Sequence, residues 1–177
     1  MQFEEAIEVV LDIEGPIADR DKTVDPGGLT NWGISIRAFP WLGEDGIRSL
    51  TRQSVKPLYR EHYWNAAGAD SLPPYLRLLV FDFAVHSHPK VAAKQLQECL
   101  NRMGMILAVD GTIGPKTLKA IGRVKPKIMI EEYQHERQVF LRSLRNYKAN
   151  ARGWEKRVLR VLIENFQKGF EIDGFFS

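Results

Sequence analysis

Glu14 is the residue of this chain whose position best suits acid–base chemistry. It closes a stretch in which apolar side chains recur at the spacing of one helix face, and a polar, glycine-rich segment follows it. A carboxyl group at such a junction is partly shielded from water, which favours its protonated form. A protonated carboxylic acid can donate a proton to a leaving oxygen, as cleavage of a glycosidic bond requires. The alternative is a solvated glutamate, although the helix dipole does not favour an acid at that end.

Asp25 and Thr30 follow in the glycine-rich segment and can supply the second group that this chemistry needs. That group must place a water molecule or stabilise the positive charge that develops on the sugar. Gly27 and Gly28 lie between them, and glycines let a backbone turn sharply and let a ligand approach closely. We therefore expect both side chains to lie across a tight polar hairpin from Glu14.

The acidic residues of the same segment also suggest a calcium-binding loop. Asp19, Asp21, Thr23 and Asp25 alternate as the ligands of an EF-hand loop do. That loop would need glycine where Val24 stands and an acid at position 30. These departures disfavour the calcium interpretation, and no metal site is predicted.

The elements that must position these residues are mostly helices. Residues 3–13 form an amphipathic helical pattern, and residues 15–35 are expected to form a short β-hairpin or two brief strands. Residues 75–86 are apolar on nearly every side, which indicates a buried central helix. Asp82 lies inside that helix and needs a partner, because an unpaired buried charge is costly. The predicted fold class is mostly α (α+β), with a small β-hairpin after the first helix.

Three polar residues, His86, Ser87 and His88, end the predicted central helix. A His-x-His pair can bind metal, but no third ligand type follows at ligand spacing. The simpler interpretation is that these residues line a cleft or occupy a helix end. The single cysteine, Cys99, lies on a helical apolar pattern and is expected to be a packed thiol.

Charge is distributed unevenly along the chain. Residues 1–35 hold eight acidic and two basic side chains, whereas residues 115–160 hold thirteen basic and four acidic ones. A basic C-terminal half suggests an anionic partner, such as cell wall, lipid head groups or nucleic acid, and the alternative is a solvated helix face. The sequence shows neither a secretory signal pattern nor an apolar stretch long enough to span a membrane.

Four stretches together form a specific pattern. They are Glu14-Gly15 with Asp-Pro-Gly-Gly-Leu-Thr-Asn-Trp-Gly-Ile at 25–34, Tyr-Arg-Glu-His-Tyr-Trp at 59–64, Val-Phe-Asp-Phe-Ala-Val-His-Ser at 80–87, and Asp-Gly-Thr-Ile-Gly-Pro-Lys-Thr-Leu at 110–118. In this order they resemble glycoside hydrolase family 108, phage-type endolysins that act as N-acetylmuramidases. The chain departs from the family in three places: Pro16 replaces a glycine, His86 replaces an asparagine, and the gap before Asp25 is about two residues longer.

The resemblance implies a lysozyme-like fold and hydrolysis of the β-1,4 bond between N-acetylmuramic acid and N-acetylglucosamine in peptidoglycan. Glu14 is then the general acid, and Asp25 and Thr30 position or activate water. The residues expected to line the sugar cleft are Asn31, Trp32, His86 and Ser87. Residues 1–88 would form the catalytic half and residues 89–177 a helical, peptidoglycan-binding half, packed as one globule.

The resemblance also implies how the protein works in a cell. Its partner would be bacterial peptidoglycan, with the anionic outer-membrane surface as a second partner for the basic half. No cofactor, metal or nucleic acid is expected, and the protein is expected to be a monomer. We expect synthesis in the host cytoplasm and access to the wall through a separate pore-forming protein.

Two alternatives remain open from the sequence. The first is a lytic transglycosylase of the same fold, which forms an anhydro-sugar without water, although the Asp25–Thr30 pair argues against it. The second is a non-enzymatic protein that binds wall or nucleic acid through its basic half. Analysis of the product ends distinguishes the transglycosylase from a hydrolase. A non-enzymatic binding protein would bind without lowering the turbidity of a wall suspension.

Overall fold

The computed structural model of the chain describes residues 1–16 and 28–169. Its N-terminal helix is α1 (Phe3–Glu14). The apolar face of this helix consists of buried side chains that include Phe3, Ile7, Val10 and Leu11. The backbone amide of Gln2 donates a hydrogen bond to the Glu5 carboxylate, which satisfies one of the free donors at the helix start. The helix ends at Glu14 because Gly15 adopts a positive φ of 71°.

A small antiparallel sheet follows α1 in the described part of the chain. Strands β1 (Thr30–Asn31) and β2 (Ile34–Ser35) pair Thr30 with Ser35 and Asn31 with Ile34. Residues 32 and 33 form the turn between them, and both have positive φ angles. This hairpin confirms the β element that the sequence predicts after the first helix.

Short helical segments lead from the sheet to the central helix. They are a 3-10 turn (Pro40–Leu42), α2 (Gly43–Ser49), α3 (Lys56–Tyr59), a π-helical segment (Arg60–Asn65) and a second 3-10 turn (Ala69–Ser71). Pro57 lies in the first turn of α3, where its missing N–H costs nothing. The winding from α3 into the π-helical segment buries Tyr59 and Trp64 completely.

Helix α4 (Pro74–His86) is the centre of the molecule. Its described neighbours include α1, α5 (Pro89–Arg102), α7 (Pro126–Ser143) and α8 (Tyr147–Gly169), and α6 (Pro115–Ile121) packs on α5. Eight residues of α4 are buried, namely Leu76 and every residue from Leu78 to Ala84. Burial on all sides is expected of a helix that is apolar all round. The buried central helix and the mostly helical fold are therefore confirmed.

The last described helix, α8, returns across the molecule to the first. It packs against α1 and α4 as well as against its neighbour α7. This return brings side chains from beyond residue 147 to the C-terminal end of α1, where Glu14 lies. Across residues 1–16 and 28–169, every helix is too short or too polar to span a lipid bilayer.

Candidate active site

Glu14 lies at the end of α1 and faces the turn between the two strands. Its side chain is 20% exposed, so it is shielded but still reached by solvent. Gly33, in that turn, has a φ of 74°, and a Cβ added there would lie 2.9 Å from Cγ of Glu14 and would overlap the Tyr59 hydroxyl. Only glycine fits this close approach. The turn therefore packs directly against the catalytic candidate.

Two tyrosines line the same side of Glu14. The Tyr59 hydroxyl donates a hydrogen bond to the Trp32 carbonyl at 2.9 Å, which ties the end of α3 to the strand turn. Burial, with the nearby charge of Glu14 adding to it, raises the pKa of Tyr63 to about 12. Burial and Glu14 likewise raise the pKa of Tyr59. Both phenols are therefore neutral over the range in which proteins work.

On the other side of Glu14 lies Arg157, which α8 supplies. Its Nη1 donates a hydrogen bond to Oε1 of Glu14 at 2.6 Å. Its Nε lies 3.0 Å and its Nη2 2.8 Å from Oδ1 of Asp82. Burial works against the charge of Arg157, but Asp82 and Glu14 outweigh burial and raise its pKa.

Asp82 is the charged residue that the sequence places inside the central helix. It has two partners, Arg157 and a second arginine. Arg137 of α7 donates from Nη2 to Oδ2 of Asp82 at 2.6 Å, and both side chains are fully buried. Burial would raise the pKa of Asp82, but the two arginines lower it to about 2. Asp82 is thus ionised and paired, as a buried charge must be.

His86 closes the same chain of contacts at the end of α4. Its Nδ1 lies 3.2 Å from Nη2 of Arg137, and because a guanidinium only donates, Nδ1 accepts. Burial, together with Arg157 and Arg137, lowers the pKa of His86 to about 3. The imidazole is therefore neutral, with its proton on Nε2. Trp154 of α8 packs edge-to-face on the ring, with centroids 5.4 Å apart.

The other site residues predicted from the sequence are placed as follows. Thr30 lies on β1 and its hydroxyl donates to the Gly28 carbonyl at 3.2 Å. Trp32 is half-buried, with the guanidinium of Arg52 lying 5.7 Å from its ring centroid. Ser87 follows the last residue of α4 and is half-buried. Asp25, with Asp19 and Asp21, lies outside the described residues.

Asn31 holds the small sheet onto α2. Its Nδ2 lies 3.0, 3.3 and 2.9 Å from the carbonyls of Ile47, Arg48 and Leu50, and its side chain is 4% exposed. These contacts cap the end of α2 and fix β1 beside Glu14. They give Asn31 a structural role, and its contact with sugar stays a prediction.

A metal site finds no support in the described part of the chain. Residues 1–16 and 28–169 contain no group of three or more histidine, cysteine, aspartate or glutamate side chains placed to hold a metal ion. His88 instead accepts from the Lys90 amide at the start of α5, at 3.2 Å. Cys99 is buried, and burial raises its pKa to about 12, which makes it an inert thiol.

Sequence reasoning missed the residues that are distant from Glu14 in the sequence but lie near it in the structure. Arg157 and Arg137 belong to the basic C-terminal half, which the sequence suggests as a surface for anions. The signal that pointed to them was Asp82, because a charge buried inside an apolar helix needs a partner. Gly33 carried no signal apart from its place in the family motif.

Comparisons with known proteins show which family the chain belongs to. Residues 7–87 match the family model Glycosyl hydrolase 108, and residues 91–159 match a Predicted Peptidoglycan domain. The chain is 33% identical to the solved structure of Brucella abortus SagA, with a TM-score of 0.83 and coverage of 97% of each chain. A search of curated proteins gives no match. The chain therefore belongs to the glycosyl hydrolase 108 family, and it is a glycoside hydrolase that degrades peptidoglycan.

Proposed function

We propose that the enzyme hydrolyses the β-1,4 bond between N-acetylmuramic acid and N-acetylglucosamine, with Glu14 as the general acid. The observation that carries this proposal is that Glu14 packs against the strand turn at Gly33 and accepts a hydrogen bond from Arg157 of α8. A half-buried carboxylate held from two sides is suited to meet a glycosidic oxygen in one orientation. Membership of a glycoside hydrolase family argues against the non-enzymatic alternative.

In this mechanism Glu14 protonates the glycosidic oxygen while positive charge develops on the muramic acid ring. Asp25 and Thr30 are proposed to position or activate the water that completes hydrolysis. Trp32, His86 and Ser87 are proposed to contact the sugars. A neutral His86 presents an Nε2–H donor, which suits a sugar hydroxyl or an acetamido carbonyl.

The C-terminal half is proposed to hold the enzyme on the wall. It contains a cavity of about 320 Å³ lined by Lys116, Lys119 and Arg123 beside the fully exposed Ile106. Within residues 1–16 and 28–169, these three cations form no ion pair. Peptidoglycan stem peptides carry carboxylates and methyl groups, and such a surface can attract both. The anionic outer-membrane surface is a second partner under this proposal.

The biological role proposed from the family resemblance is lysis of a bacterial host by a phage-type endolysin. The protein would act as a monomer, without a cofactor or nucleic acid, after a separate pore-forming protein gives it access to the wall. Expression in bacteria with and without such a protein tests this role. Lysis only when both are present supports it, whereas lysis by the enzyme alone contradicts the need for a pore.

Mass spectrometry of digested, purified peptidoglycan tests the proposed reaction. A hydrolase yields fragments with a reducing N-acetylmuramic acid, and a lytic transglycosylase yields the anhydro form without taking up water. We expect reducing ends for the wild type, and smaller losses of rate for Asp25→Asn and Thr30→Ala than for Glu14→Gln. Anhydro ends would contradict the proposed hydrolase and support the transglycosylase alternative.

A further inference from the structure

The two carboxylate oxygens of Glu14 are not equivalent. Oε1 accepts a hydrogen bond from Nη1 of Arg157 at 2.6 Å. Oε2 accepts none from residues 1–16 or 28–169. A guanidinium has only N–H donors and remains charged, so Oε1 facing it must stay an acceptor. When Glu14 is protonated, its proton therefore resides on Oε2.

We infer that Arg157 is a positioning residue for the reaction: it holds Oε1 of Glu14 and leaves Oε2 to carry the proton to the glycosidic oxygen. This inference rests on the proposed role of Glu14 as the general acid. Arg157 lies in the segment that matches the Predicted Peptidoglycan domain and outside the segment that matches Glycosyl hydrolase 108. The C-terminal half thus completes the catalytic site as well as contacting the wall.

Arg157 has the rigidity that a positioning residue requires. Its side chain is 11% exposed, its Nε donates a hydrogen bond to Oδ1 of Asp82, and its Nη2 lies 2.8 Å from the same oxygen. Asp82 is held in turn by Arg137, whose side chain is fully buried. The planar fork of arginine can bind Asp82 with one edge and Glu14 with Nη1, which the single ammonium of lysine cannot reproduce.

The charges of the cluster favour proton donation. The described charges around Glu14 are Arg157 and, through it, Asp82 and Arg137, while Tyr59 and Tyr63 are neutral. With Glu14 protonated, two arginines face one carboxylate, and the cluster has an excess positive charge. Once Glu14 has given its proton, two arginines face two carboxylates. The contact with Arg157 therefore strengthens as the proton leaves, and only such interactions accelerate the chemical step.

Kinetics of Arg157→Met and Arg157→Lys across a range of pH test this inference, with a soluble glycan fragment of peptidoglycan as substrate. The matched control is Arg160→Met, an exposed arginine one turn further along α8 that contacts Asp12. We expect kcat of Arg157→Met to fall by roughly 10² to 10³-fold, typical of one removed charge-stabilising donor, with KM changed only a few-fold. Arg157→Lys should fall between it and the wild type, and Arg160→Met should match the wild type.

The pH profile provides a readout that a purely structural role would not move. Removing the cation beside Oε1 should move the alkaline limb of the kcat profile of Arg157→Met upwards in pH. A folded Arg157→Met or Arg157→Lys with wild-type kcat and an unmoved profile would overturn the inference. If Glu14→Gln is inactive while the Arg157 variants behave as wild type, this inference fails and the proposed function stands.

A second measurement does not depend on the stability of Arg157 variants. A structure of Glu14→Gln with a soluble glycan fragment bound should show Arg157 donating to the amide oxygen of residue 14. The amide nitrogen, which takes the place of Oε2, should then face the oxygen of the scissile bond. An Arg157 turned away from residue 14, or an amide oxygen facing the scissile bond, overturns the inference even if every Arg157 variant unfolds.

Discussion

The guanidinium of Arg137 and the carboxylate of Asp82 form an ion pair of 2.6 Å in which both side chains are completely buried. The pair joins α7 to the central helix α4, and Asp82 extends it to Arg157 and so to Glu14. A pair of this kind is stable only while each charge keeps its partners, because an isolated charge in the interior is costly. It therefore links the stability of the fold to the geometry around Glu14.

Removing the charge of Asp82 should destabilise the fold strongly. Asp82→Asn leaves Arg137 buried without an anionic partner, and breaking a buried pair typically costs about 3 to 5 kcal/mol. Urea unfolding measures the loss. The control is Asp70→Asn, because Asp70 is 54% exposed and pairs with Arg60 at the surface, where we expect less than about 1 kcal/mol. Equal effects of the two substitutions would contradict the role assigned to Asp82.

His86 should make the fold sensitive to mildly acidic pH. Its pKa in the folded protein lies at about 3, below the ordinary 6.5, so the unfolded chain binds a proton first as the pH falls. The stabilisation is complete above about pH 6.5 and is lost as the pH decreases towards about 3. His86→Asn, which keeps an acceptor for Arg137, should reduce the slope of the unfolding free energy over this range. The exposed His135 provides the control His135→Gln, and an unchanged slope in His86→Asn would refute the prediction.

The sequence predicted the parts of the site that local patterns determine. The apolar periodicity that ends at Glu14 predicts a helix end there, and α1 ends at that residue. The apolar run around Asp82 predicts a buried carboxylate that needs a partner, and its ion pair with Arg137 confirms this.

The identity of the cations could not be predicted, because Arg137 and Arg157 lie 55 and 75 positions from Asp82. Periodicity does not tell which of the thirteen basic residues between 115 and 160 turn inwards. The packing of Gly33 on Glu14 depends equally on how the strand turn meets the helix end. These are tertiary contacts, and a local pattern carries no record of them.

Gly33→Ala should lower activity by displacing Glu14. The added methyl group would press on the Tyr59 hydroxyl and on Cγ of Glu14, and a shift of about 1 Å in a catalytic group can cost roughly 10²-fold in rate. Gly43→Ala is the matched control, since Gly43 has a φ of 65° and no heavy atom within 4 Å of an added Cβ. Both variants carry the backbone strain of a positive φ, so the difference in kcat isolates the contact. Equal kcat values would show that Gly33 does not position Glu14.

The basic half should bind wall in a manner that depends on salt. Attraction between exposed charges acts over roughly 8 Å at physiological salt and fades as salt rises. In a Glu14→Gln background, which avoids digestion, reversing Lys116, Lys119 and Arg123 to glutamate together should weaken co-sedimentation with purified peptidoglycan. The control changes Lys116 and Lys119 to arginine and Arg123 to lysine, which keeps the charge and should keep the binding. Salt-independent binding that survives the reversal would show that these cations form only a solvated face.

Turbidity clearing of purified peptidoglycan by the wild type and by Glu14→Gln tests the central claim most directly. Glutamine is close to glutamate in size and can still accept from Arg157, but it has no acidic proton, and general acid catalysis is typically worth about 10² to 10⁴-fold. The account predicts that Glu14→Gln unfolds at a similar urea concentration to the wild type, still sediments with the wall, and clears it at least about 10²-fold more slowly. A folded Glu14→Gln that clears the wall within a few-fold of the wild-type rate would contradict the account.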